Sequence, residues 1–140
     1  MASMILVRGL PGSGKSTVAK NLIGFYQHIE TDMFWMVDGE YKFDFNRLGE
    51  AHAWCLSQTR DMLVRGWSPV VSNTFTTVKE IRPYFELAKE FDIVPQVITC
   101  QSGFKNVHDV PEATLAKMKA RFAWDLSELY HGQVGTEKVC

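Results

Sequence analysis

Gly9-Leu10-Pro11-Gly12-Ser13-Gly14-Lys15-Ser16-Thr17 is the stretch on which the reading of the whole chain turns. Its spacing is G-x-x-x-x-G-K-[ST], a glycine-rich turn that ends in a lysine and a hydroxyl residue. The flanks agree with it. Residues 4–8 read as a buried first strand, and residues 15–25 read as a helix with Val18, Leu22 and Phe25 at helical spacing. Strand, glycine turn and helix in that order aim successive backbone N–H groups into a concave nest, and the helix start adds partial positive charge. Gly12 and Gly14 allow backbone conformations and close approaches that a Cβ would block. A polyphosphate is the ligand such a nest fits.

The side chains sharpen this to ATP with Mg²⁺. Lys15 is placed to reach the β- and γ-phosphates, and the Ser16 hydroxyl to ligate the metal. Gly9, Gly12, Ser13, Gly14, Lys15, Ser16 and Thr17 are therefore the expected nucleotide-binding residues. The alternative, a glycine-rich turn with an incidental lysine, does not account for the strand before it and the amphipathic helix after it.

Outward from the loop, strands and helices alternate, which favours an α/β sheet of parallel strands. Short strands are expected near 28–30, at 69–73 and at 93–99, and a helix over 46–65 with Gly66 as its stop. Thr77 with Glu80 is a capping-box signature opening a helix lined by Val78, Ile81, Phe85, Ala88 and Phe91. A last helix is expected over 112–130, lined by Leu115, Met118, Phe122, Leu126 and Leu129. The sum is a three-layer α/β/α P-loop NTPase fold: a mostly parallel sheet of about four strands, with a short lid between Cys100 and Pro111. Residues 1–130 read as a single domain and 131–140 as a mobile tail.

Composition narrows the function. The chain of 140 residues is 46% apolar with a net charge of −1, ordinary for a globular protein and without a basic stripe for gripping long nucleic acid. No apolar run reaches the roughly 18 residues of a membrane span, and the N-terminus lacks the marks of a secretory signal. The cysteines, Cys55, Cys100 and Cys140, are odd in number and widely spaced, as expected of reduced thiols in a cytoplasm.

Nucleotide binding alone does not make a kinase. The strand at 69–73 ends in Ser72-Asn73 without a carboxylate, and the chain is short, which favours a small-kinase layout over a motor ATPase. A kinase needs a group that orients and deprotonates the accepting hydroxyl. Asp32 is the candidate, because it follows the second strand and ligands gather beyond the C-terminal strand ends of such sheets. The competing reading is that Asp32 only caps a short helix. His52, in Glu50–Cys55, reads more simply as helix packing than as a pocket rim, and Arg82 and Arg121 as solvated helix faces. Met33–Met36 read as core filling or as an acceptor-stacking surface; Tyr41, Phe43 and Phe45 read as a packed loop without chemistry.

The ordered set Gly9–Thr17, Ile29–Phe34, Glu50–Cys55, Val70–Thr76 and Lys105–Pro111 resembles the P-loop kinase family that includes the kinase domain of phage polynucleotide kinase. Within it the chain is most similar to small phage and bacterial ATP-binding proteins and to NEDD4-binding-protein-2-like domains. The resemblance implies that Asp32 is the catalytic carboxylate contacting a 5′-hydroxyl. It puts Asn73 and Thr74 at the substrate side of the third strand, and Lys105, Asn106 and His108 on a lid over ATP. It also places Trp35 where phage polynucleotide kinase has a phosphate-binding arginine, so that an indole could stack on a base or sugar instead.

The expected activity is thus transfer of the γ-phosphate of ATP to a hydroxyl, with a nucleic acid 5′ end as the implied acceptor and Asp32 and Lys15 as the catalytic pair. Two alternatives stay open. One is a kinase for a small metabolite or nucleoside; the other is a nucleotide-binding module that acts through a protein partner.

Overall fold

Ile5–Arg8 (β1) is a run of four buried residues, and only a strand covered on both faces hides such a run. In the computed structural model, which describes residues 2–22, 26–101 and 111–130, β1 lies inside the sheet. It pairs in parallel with Pro69–Asn73 (β5) on one side and Gln96–Thr99 (β6) on the other. Gln27–Ile29 (β2) adds to the far edge of β5, giving the order β2-β5-β1-β6 with every pairing parallel. Between β2 and β5 the chain makes a small antiparallel hairpin, Met36–Val37 (β3) with Glu40–Tyr41 (β4).

Side-chain alternation assigns the layers. Ile5 and Val7 point to the face covered by Lys15–Asn21 (α1), where Ala19, Val18 and Leu22 pack. Met4, Leu6 and Val71 point the other way, against Leu48–Val64 (α2) and Val78–Glu90 (α3) through Cys55, Leu63, Ile81 and Phe85. The fold is the expected three-layer α/β/α sandwich. α2 buries Ala51, Cys55, Thr59 and Leu63, a spacing of four that keeps one stripe on the sheet. α3 begins at the expected capping box: Thr77 Oγ1 accepts from Glu80 N, and Glu80 Oε2 accepts from Thr77 N.

Two expected helices change at their edges. The first helix ends at Asn21, and residues 23–25, with Phe25, lie outside the described residues. So do Met1, the lid residues Lys105, Asn106 and His108, and the whole tail 131–140. The last helix is not continuous over 112–130. Glu112–Arg121 (α4) stops at Phe122, which turns to extended backbone (φ −63°, ψ 121°), and a 3₁₀ turn at Ser127–Tyr130 follows.

The cause of that break is Arg8. This arginine is 0% exposed, at the inner end of β1. Its Nε and Nη2 donate to the Phe75 carbonyl at 3.0 and 2.7 Å, and its guanidinium sits 4.1 Å from the centre of the Phe122 ring. Ala123 N donates to the Thr76 carbonyl at 2.8 Å. The chain leaves the helix to make these contacts and then buries Leu126, Leu129 and Tyr130. Burial pulls the Arg8 pKa down to about 10, with the Glu80 charge opposing, so the group stays charged near neutrality.

Replacing Arg8 with Met keeps most of the volume but strands the Phe75 carbonyl, while Thr76 keeps its bond from Ala123. Urea unfolding is expected to show a loss of about 3 kcal/mol at unchanged m-value, the cost of an unpaired buried carbonyl together with a lost ring contact.

Candidate active site

All strands of the main sheet run in parallel, so their C-terminal ends share one edge, and each of them delivers a loop there. β1 delivers the glycine-rich turn. Gly12 and Gly14 adopt φ of 81° and 87°, the left-handed region that favours glycine. Gly9 is needed for another reason: a Cβ on it would overlap the Ser13 side chain and lie 2.9 Å from the Cys100 carbonyl oxygen. Gly9 N donates to the Thr74 carbonyl at 3.2 Å, which ties the turn to the end of β5. No side chain caps α1, so its opening amides stay available for an anion.

Lys15 and Ser16 open α1 and face a cleft of about 760 Å³. Burial pulls the Lys15 ammonium below its usual range, while the charges of Glu30 and Asp32 push it back. Asp32, Asn73 and Thr74 line the same cleft. Asp32 does not cap its helix: the 3₁₀ turn Thr31–Trp35 is preceded by Glu30 at the cap position, with no side-chain cap bond. Its Oδ1 accepts from the Tyr41 hydroxyl at 3.4 Å. Asn73 Oδ1 accepts from Thr31 N at 2.8 Å, so this amide staples the Asp32 turn to β5.

Two of the expected site residues sit differently. Thr17 is exposed and is not among the described residues lining the cleft. Trp35 is 1% exposed, held in edge contacts with Phe34 and Phe43 at ring-centre distances of 5.0 Å. It forms part of the cleft wall, not an open stacking face. Conversely, His52 and Arg121 are exposed and line the cleft, where helix packing and a solvated face had been the simpler readings. Arg82 pairs with Glu128 at 3.2 Å on the surface, as a solvated face should.

The residue that sequence reasoning missed is Glu30, just beyond the end of β2. Ser16 Oγ donates to Glu30 Oε2 at 3.1 Å, and Ser72 Oγ donates to the same oxygen at 2.8 Å. His28 Nε2 lies 2.7 Å from Ser72 Oγ and 3.4 Å from Glu30 Oε2. Since Ser72 gives its proton to Glu30, His28 must donate to Ser72 through Nε2–H. β5 ends in an amide, and the neighbouring strand supplies the carboxylate that touches the P-loop serine. The signal was available: Glu30 follows the same strand as Asp32, two residues before it.

This donor set fits Mg²⁺. A hydroxyl and a carboxylate are hard oxygen ligands, and Mg²⁺ in nucleotide sites is held by one or two protein oxygens with phosphates and water supplying the rest. Ser16 would ligate it, with Glu30 orienting the Ser16 hydroxyl.

Burial alone would push the Glu30 carboxyl up, but hydrogen bonds from His28 and Ser72, the His28 charge and the Ser16 hydroxyl outweigh it. They hold the pKa down to about 2, against an ordinary value of 4.5. A depressed acid stabilises the fold above its unfolded pKa, and that contribution disappears as pH falls through the folded value. The stability gap between wild type and Glu30→Gln is therefore expected to be full at pH 6, and to shrink between about pH 4.5 and about pH 2. Urea melts across that range check it; a gap independent of pH would refute the ionised, hydrogen-bonded carboxylate.

With that geometry in view, the comparisons with known proteins are direct. A family profile described as "AAA domain" matches residues 4–107, well over half of the chain. NEDD4-binding protein 2 of Homo sapiens is 35% identical over 91 residues, 62% of this chain and 5% of the human protein. A protein of Acanthamoeba polyphaga mimivirus, named as a bifunctional polynucleotide phosphatase/kinase, is 36% identical over 99 residues, 68% of this chain and 20% of the viral one. The chain thus spans a small part of either relative. Among solved structures, a chain of the Pnkp1/Rnl/Hen1 RNA repair complex superposes with a TM-score of 0.59 at 17% identity, covering 84% of this chain and 36% of that one. The phosphate loop, the parallel sheet and the family profile agree: the chain belongs to the AAA domain family and is a kinase-like P-loop domain.

Proposed function

We propose that this domain transfers the γ-phosphate of ATP to a hydroxyl, with a 5′-hydroxyl at a nucleic acid end as the acceptor its relatives favour. One observation carries the reading: Lys15 and Ser16 on the donor side and Asp32 on the acceptor side line a single cleft. A domain that only bound nucleotide would have no use for a carboxylate across from the γ-phosphate position. The named polynucleotide phosphatase/kinase and the RNA repair complex among its relatives support the choice of acceptor.

The chemistry follows from the placement. The glycine turn and Lys15 hold the phosphates and offset the charge that builds on them in transfer. Mg²⁺ held by Ser16 would supply positive charge to offset that of the phosphates. Asp32 orients the acceptor hydroxyl and takes its proton as the new O–P bond forms and the bond to the β-phosphate breaks, releasing ADP. Asn73 keeps Asp32 in place through the Thr31 amide. Thr74 holds the glycine turn through its carbonyl. Lys105, outside the described residues, has a lid role in this proposal by resemblance alone. The free thiols of Cys55 and Cys100 accord with a reducing compartment such as the cytoplasm. Among the described residues no helix is long and apolar enough to cross a membrane.

Purified protein with labelled ATP and Mg²⁺, offered 5′-hydroxyl oligonucleotides and small alcohols, tests this reading. Label is expected on oligonucleotide ends. Lys15→Ala should weaken ATP binding and abolish transfer, whereas Asp32→Asn should keep ATP binding and slow transfer by about a hundredfold or more. Labelled small alcohols with inert oligonucleotides would move the acceptor to a metabolite; tight ATP binding without any transfer would overturn the reading.

A further inference from the structure

Exposed apolar side chains mark a binding surface when gathered in one patch, and not when scattered. Three of them stand at alternate positions behind the β3–β4 hairpin: Tyr41 and Phe43 are each 53% exposed, and Phe45 is 74% exposed. Asp44, between Phe43 and Phe45, is extended at φ −137° and ψ 108°, so those two share a face. That face is the cleft wall, since all three line the cavity that holds Lys15 and Asp32. Read from sequence they were a packed loop; the structure leaves more than half of each open to solvent.

Their surroundings fit a flat ligand. Phe43 is braced edge-on by the buried Trp35, which fixes its ring while leaving the rest of it open. Tyr41 is tied by its hydroxyl to Asp32, which puts this wall next to the carboxylate assigned to the acceptor. Charge argues against a phosphate grip here. The described lining carries Lys15 and Arg121 as cations against Glu30, Asp32 and Glu80, with Lys15 committed to the donor side.

We propose that Phe43 and Phe45 form a stacking platform for the unpaired nucleobase at the accepting end. This rests on the phosphotransfer reading above and deepens it: the acceptor is a single-stranded nucleotide end held by its base rather than by its neighbouring phosphate. Stacking is tolerant of base identity, because every base presents a π-face, and removing one platform ring commonly costs tenfold or more in affinity. A platform of this kind also binds with little salt dependence, because few counterions are released.

The test separates binding from transfer. Fluorescence anisotropy of the full chain with a short single-stranded 5′-hydroxyl oligonucleotide is compared with the same oligonucleotide made abasic at its 5′-terminal nucleotide, across a salt series. The intact end is expected to bind about tenfold tighter or more, with a log K against log salt slope no steeper than about −1. Phe45→Ala and Phe45→Leu should each lose about tenfold, Phe43→Leu similarly, and Phe45→Trp should restore binding. Thermal melts confirm that each variant is folded. Equal binding of intact and abasic ends, or full affinity in Phe45→Leu and Phe43→Leu, overturns the platform. Wild-type transfer to both ends alike would leave the kinase reading standing and remove this one; base-dependent binding without transfer would do the reverse.

Discussion

Gly9 has no side chain, and the cleft depends on that. The turn after β1 folds back so tightly that a Cβ at this position would collide with Ser13 and crowd the carbonyl of Cys100 from the neighbouring strand end. With hydrogen there, the Gly9 amide reaches the Thr74 carbonyl, and the loops after β1, β5 and β6 close against one another. The nest, Lys15 and the mouth of the cleft are arranged by that closure. A parallel sheet supplies the shared edge; the missing side chain lets the loops meet on it.

On that edge the acidic groups are distributed in an unexpected way. β5, the strand that commonly ends in a metal-side carboxylate in P-loop enzymes, ends in Asn73, whose amide holds the Asp32 turn instead. The acid that touches the Ser16 hydroxyl comes from β2, as Glu30, steadied by Ser72 and His28. Both carboxylates follow β2, and β5 holds them through Ser72 and Asn73. Glu30 and Asp32 are two residues apart, at the start of one 3₁₀ turn.

Much of this was legible in the sequence because the responsible signals are local. The glycine turn, the β1 apolar run, the Thr77–Glu80 capping box and the Asp32 position each depend on neighbouring residues, and each reappears in the structure. The failures have long-range causes. Nothing within a few residues of Phe122 marks the end of α4, because the reason is Arg8, more than a hundred positions earlier. The apolar spacing of Leu115 and Met118 suggested a core-facing helix, yet α4 buries none of its residues and Met118 faces the cleft. Trp35 could be read as core filling or as a stacking ring and is a buried brace, while Phe43 and Phe45 looked packed and proved open. Pattern reports that a residue is apolar; which side of it meets solvent depends on partners that pattern does not name.

Arg8 also imposes an order of assembly. Its charge lies at the root of the phosphate loop, and its partners are carbonyls at Phe75 and Thr76 and a ring at Phe122. A guanidinium in the core without those partners is costly, so the base of the loop stays unsettled until they arrive. A ribosome makes the loop more than a hundred residues before it makes Phe122. A nascent chain that lacks the segment after α4 therefore has its nucleotide motif complete in sequence but not yet secured in space.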